Sequence, residues 1–123
     1  MKYLILIYGN PATREMWEQL TDAERAAGWG AYAALNKDLA ASGELIVTEA
    51  LTDASLTKRV NSHQGTTMTT DGPFAEVKEL LAGFYLVECE SEERAIEIAG
   101  RIPEAGFGLV EVRPVLDTGG MEM

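Results

Sequence analysis

Cysteine and histidine are almost missing: Cys89 and His63 are the only ones in 123 residues. A lone cysteine excludes an internal disulfide and any zinc site made of several thiolates from one chain. On an apolar stretch it reads as a small buried group. Basic residues are scarce as well, ten against twenty acidic ones, for a net charge of −10. Phosphate backbones and anionic membrane surfaces are repelled on average by such a chain, so neither nucleic acid nor membrane is an expected partner. A basic protein partner stays open. The longest apolar run near the start, residues 3–8, is too short to span a bilayer or to form the core of a secretion signal, and the expected location is cytoplasmic. Glycine-rich phosphate loops, nucleophile elbows and metal-ligand clusters are also missing, so no metal and no cofactor is expected. The chemistry left is cofactor-free proton transfer or isomerisation.

What is present fits one globular domain over residues 1–117, with a flexible tail at 118–123. Hydrophobic residues make up 46% and charged residues 24%, ordinary values for a soluble fold. KYLILIY (2–8), stopped by Gly9-Asn10-Pro11, reads as a strand covered on both faces and central in a sheet. Thr21-Asp22-Ala23-Glu24 matches a capping box, predicting a helix from 22 to about 41. Its expected packed stripe is Gly28, Tyr32, Leu35 and Leu39, widened by Trp29 and Ala33. A short helix anchored by Trp17 is expected over 13–19. ELIVTEAL (44–51) reads as the second strand. LTKRVN and TTMTT form a hairpin around 62–65, which puts His63 at the tip. GFYLVECE (83–90) is a strand, and Ser91 caps a helix with a buried stripe of Ala95, Ile98, Ala99 and Ile102. FGLVEVRPVL (107–116) is the last strand.

The order strand, helix, strand, hairpin, strand, helix, strand predicts an α+β, ferredoxin-like βαβ(ββ)βαβ chain with an antiparallel sheet. Two helices cover one face of such a sheet. Yet the first strand is apolar on both sides, and the strand at 83–90 sets Phe84 and Leu86 opposite Tyr85, Val87 and Cys89. A second copy of the chain is the expected cover, which makes a homodimer.

Asp71-Gly72-Pro73-Phe74, followed by Ala75-Glu76, Lys78-Glu79 and Gly83-Phe84-Tyr85, resembles the signature of the YCII-related proteins, in the subgroup called DGPF-domain proteins. The opening MKYLILIYG, the RVN hairpin, Arg101-Ile102-Pro103 and the ending VEVRPVL agree. The resemblance implies a dimeric α+β barrel and small-molecule chemistry, since relatives with the fold act on small ring compounds among others. It also implies a second reading, because some DGPF proteins are similar to accessory domains of extracytoplasmic function sigma factors or are encoded beside them. The His-Asp pair proposed as catalytic in certain relatives has no counterpart in this chain. Val77 stands where the pattern commonly has threonine.

Candidate site residues gather in and around this segment. A tight turn accounts for Asp71-Gly72-Pro73 by itself, and the functional reading of Asp71 is a pocket carboxylate acting as acid, base or acceptor. Phe74 is expected to be buried, either as the loop's anchor or as a stacking platform. Glu76, Lys78 and Glu79 carry more charge than a turn needs; an ammonium flanked by carboxylates can hold an anionic substrate while a carboxylate moves a proton. A solvated surface set is the alternative. Tyr8, at the end of the first strand, and Arg59, on the hairpin, would suit an aromatic acid or a phosphate-bearing molecule if both face one cleft. Otherwise Tyr8 packs at the sheet rim and Arg59 guards an edge strand. Asp71, Glu76 and Lys78 are thus the catalytic candidates, and Tyr8, Arg59, Phe74 and Glu79 the ligand-binding ones. Glu111 and Arg113 read as an interface or surface ion pair.

Overall fold

The computed structural model describes residues 1–121. Its main sheet has the order β2-β5-β1-β6, formed by β1 (Lys2–Gly9), β2 (Leu45–Ala50), β5 (Leu80–Glu88) and β6 (Val110–Pro114), with every neighbouring pair antiparallel. This is the ferredoxin-like order, and the sheet does not close into a barrel. The apolar run at the start does occupy a central strand. Strands β3 (Lys58–His63) and β4 (Thr66–Asp71) pair only with each other, as a hairpin beside the sheet.

Local chemistry sets the helices. The Asn10 side chain accepts from Thr13 N at 2.9 Å and starts α1 (Pro11–Gln19), with Pro11 in the first turn where a missing N–H is harmless. Thr21 and Glu24 exchange bonds of 3.1 and 3.0 Å and start α2 (Asp22–Ser42), which Gly43 ends at φ 77°. Ser91 caps α3 (Glu92–Gly100). Buried Tyr3, Ile5, Ile7, Tyr85 and Val87 point to one side of the sheet, where Leu35 and Leu39 of α2 and Ala95, Ile98 and Ala99 of α3 meet them. Ile102, just past α3, is buried as well.

Several boundaries differ from the sequence expectations. The hairpin turn is Gln64-Gly65, both left-handed with φ 48° and 78°, so His63 ends β3 opposite Thr66 instead of sitting at the tip. A two-residue turn of this hand matches strand twist, whereas a four-residue break does not require it. β5 begins at Leu80, because β1 extends to Gly9 and pairs with its start, while β2 pairs with it only from Gly83 onward. β6 begins only at Val110, since residues 103–107 wind as a 3-10 turn that Gly108 closes at φ 69°. On α2 the packed stripe is narrower than its periodicity suggested. Trp29 and Ala33 face outward, and Gly28 receives the Trp17 ring, which would lie 3.4 Å from an added Cβ. Gly83 lets β2 approach β5, because a Cβ there would come within 2.9 Å of the Glu49 carbonyl oxygen. Of the expected tail, residues 118–121 form a turn and 122–123 lie outside the described residues. Among the described residues no helix is long and apolar enough to cross a membrane.

Arg94 of α3 grips Glu44, at the entry to β2, with Nε and Nη2 donating to its two oxygens at 3.0 and 2.9 Å. The guanidinium holds the Glu44 carboxyl below the usual carboxylate range, against the opposing effect of burial and with help from the Ser42 hydroxyl. A lowered folded pKa adds stability above the unfolded value and loses it as the carboxylate protonates. Glu44→Gln is therefore expected to cost about 1–2 kcal/mol near neutral pH. The deficit should vanish in urea titrations as pH falls through the Glu44 carboxyl range, and a pH-independent deficit would contradict the assignment.

Candidate functional site

The second face of the sheet is left open. Leu4 and Leu6 of β1 and Phe84 and Leu86 of β5 lie on it half-buried, and Val47 of β2 is exposed beside them. On β6 the alternation that half-buries Val110 and Val112 against the core sends Glu111 and Arg113 to this open face, opposite Leu6 and Leu4. Tyr8 follows Leu6 on the same face, just past a register shift between Ile7 and Tyr8, and its N–H donates to Leu109 O at 2.9 Å.

At this end of the sheet the loop 72–79 folds back from the hairpin and leaves two concavities. The smaller, about 340 Å³, lies among Tyr8, Leu51, Phe74, Val77, Glu79 and Leu81, with Thr57 also on its wall. It is mostly apolar with a few polar tips, the character of small-molecule clefts, and its volume is near the lower end of the usual range of about 300–1,000 Å³. The other, about 660 Å³ and more open, is bounded by the first turn of α1 with Asn10, Pro11 and Ala12, and by Val77, Lys78 and Glu79.

The candidates from the sequence separate in space. Tyr8, Phe74 and Glu79 line the smaller cleft, and Glu79 and Lys78 the larger. Asp71 ends β4 and pairs with Lys58 Nζ at 2.5 Å, with both side chains mostly in water, so the pair contributes little to stability. Glu76 is exposed and lines neither concavity. Phe74 is not buried as expected but 61% exposed at the cleft rim, because the loop's main anchor is backbone: Gly72 N donates to Thr57 O at 2.9 Å. The Arg59 guanidinium stacks 4.4 Å from the Phe74 ring centroid, tying hairpin to loop. At an exposed site that contact contributes about 0.5–1 kcal/mol.

The Tyr8 phenol has its pKa raised, first by the Glu111 carboxylate as hydrogen-bond acceptor, then by burial and by the charges of Glu111 and Glu79, with Arg113 opposing. Tyr8 is therefore a neutral phenol throughout the physiological range. Sequence reasoning missed that β6 sets Glu111 diagonally across from Tyr8, and it missed Leu51 and Leu81 as cleft walls. The signal for the first existed in the alternation of residues 110–113, but it carried no register. A further polar group, on the helix side, was illegible: Tyr32 donates to Glu104 at 2.7 Å and Tyr85 donates to Asn36, tying α2 to the 3-10 turn and to β5. No group of His, Cys, Asp and Glu able to hold a metal occurs among the described residues.

Comparison with known proteins bears on this geometry. A family model described as the YCII-related domain matches residues 1–118. An uncharacterised protein of Rhizobium meliloti (strain 1021) is 32% identical over 117 residues, covering 94% of this chain and 92% of its own length. A solved structure of TftG, the 5-chloro-2-hydroxyhydroquinone dehydrochlorinase from Burkholderia phenoliruptrix AC1100, was obtained in complex with 2,5-dihydroxybenzoquinone. It superposes with a TM-score of 0.54 at 15% identity over 99% of this chain and 100% of its own, a likeness of fold alone.

Proposed function

The chain belongs to the YCII-related family, and from that membership we propose that it is a cofactor-free cytoplasmic homodimer that binds a small ring compound in the cleft between Tyr8 and the loop 72–79. The carrying observation is the cleft itself: about 340 Å³, apolar walls from Leu51, Val77 and Leu81, and three polar side chains, Tyr8, Thr57 and Glu79. That volume suits one substituted ring. A relative in fold was solved with a hydroxylated ring bound, which agrees with this size and polarity. Proton transfer is the chemistry available to such a set, with Tyr8 and Glu79 touching the ligand. Asp71 and Glu76 stand outside the cleft. The second copy covers the open sheet face of Leu4, Leu6, Phe84 and Leu86, which also keeps water from the cleft's inner end.

The reading is tested with a thermal-shift screen of substituted rings, repeated on Val77→Trp, whose indole fills the cleft from an exposed loop position. Ring compounds that stabilise the wild type are expected to bind Val77→Trp about tenfold more weakly or worse, with the unliganded melting temperature little changed. Unchanged binding sinks the cleft as the site.

A second reading, a module that docks on a protein such as an extracytoplasmic function sigma factor, is favoured by one observation. Trp29 is 58% exposed on α2, edge-on to Trp17 at 5.7 Å and on neither concavity's wall, and such an aromatic patch suits a partner surface. Trp29→Ser would abolish capture of a sigma factor while leaving ring binding intact.

A further inference from the structure

We propose that Glu111 positions the Tyr8 hydroxyl as a hydrogen-bond acceptor toward the cleft, so that the site selects neutral hydroxyl-bearing rings over carboxylates and phosphates. This rests on the cleft being the ligand site, and it names the ligand's chemical class.

Glu111 stands opposite Leu6 across the β1–β6 ladder, and Tyr8 is the next residue of β1 on that face. Diagonal neighbours of this kind lie within reach of long side chains. A phenol has one hydrogen to give and lone pairs to offer. With a carboxylate behind it, the hydrogen goes to Glu111, and what remains on the cleft side is an oxygen that accepts. A ligand O–H satisfies that oxygen, whereas a carboxylate or phosphate meets lone pair with lone pair.

The surrounding charges push the same way. Glu79 is the charged side chain on the wall of this cleft, and it repels anions. Lys78 borders the neighbouring concavity instead, and Arg59 lies over Phe74. Arg113, opposite Leu4, stands beyond Glu111 from the cleft end of the sheet. An aromatic acid or a phosphate-bearing ligand, the class that Tyr8 and Arg59 suggested in the sequence, therefore finds no cation on the cleft wall. The raised pKa of Tyr8, caused first by Glu111, agrees with this arrangement.

Three probes of one ring size separate the alternatives: resorcinol with two O–H donors, its dimethyl ether with none, and benzoate with an anionic acceptor. In two-dimensional NMR titrations of the wild type, resorcinol should bind about 5–10-fold tighter than either of the others, the worth of one donated hydrogen bond. Tyr8→Phe should bring resorcinol and the ether together. Glu111→Gln should lower the titration midpoint of Tyr8, followed through its labelled ring carbon, and should narrow the resorcinol preference over benzoate to about twofold. A purely structural role for Glu111 moves neither quantity. Benzoate binding as tightly as resorcinol, or an unchanged Tyr8 midpoint in Glu111→Gln, overturns the inference. Equal binding of all three that Val77→Trp abolishes overturns it while leaving the cleft as a site; no binding of any ring overturns both.

Discussion

Replacing Tyr85 by alanine is expected to cost about 3–5 kcal/mol of folding stability, the range for deleting a buried aromatic. Tyr85 is 1% exposed in the middle of β5, paired with Ile5 of β1 and Thr48 of β2, and it is packed under α2. Its hydroxyl donates to Asn36, so truncation opens a cavity and also strands a polar group of α2. A domain of this size holds about 5–15 kcal/mol in total, so the variant keeps little reserve and its melting temperature should fall by about 10–20 °C. Tyr85→Phe separates the two losses: it keeps the ring and should cost about 1 kcal/mol. Urea unfolding measures both. A loss below about 1 kcal/mol for the alanine variant would mean that the ring is not a core element.

Leu86→Asp is expected to do the opposite, leaving the chain folded while weakening the proposed dimer by at least about 100-fold. Leu86 lies in the centre of the open sheet face, between Leu4 and Val47, half-buried in the single chain. A carboxylate there stays in water in a monomer but is buried without a partner at a symmetric interface. The cost is doubled because each copy brings one. Sedimentation velocity reads the outcome beside circular dichroism. A wild type that sediments as a monomer, or a Leu86→Asp chain that still dimerises, removes this face from consideration as the interface.

How far the sequence reached can be judged from individual elements. The capping box at Thr21, the stop at Gly43, the α3 stripe and the centrality of β1 were legible because each depends on side chains within a few residues of one another. The outward turn of Trp29 was not legible. Its helical spacing matched the core stripe, and only the arrival of Trp17 against Gly28 created an alternative place for an indole. The candidate site divides in the same way. The stretch from Asp71 to Glu79 was located by its turn chemistry and excess charge, yet its members part company in space. Asp71 turns to Lys58, Lys78 faces α1 and Glu79 reaches the cleft.

By itself the sequence determined the ferredoxin-like order of elements, the apolar second face and the neighbourhood of the cleft, since periodicity, caps and turn residues act locally. Tertiary structure decided which charges share a wall. Strand register set Glu111 diagonally across from Tyr8, and the fold of the loop put Glu79, but neither Arg59 nor Lys78, on the wall of the smaller cleft. Register depends on contacts more than a hundred residues apart in the chain, as between Leu6 and Glu111, and no short-range pattern encodes it.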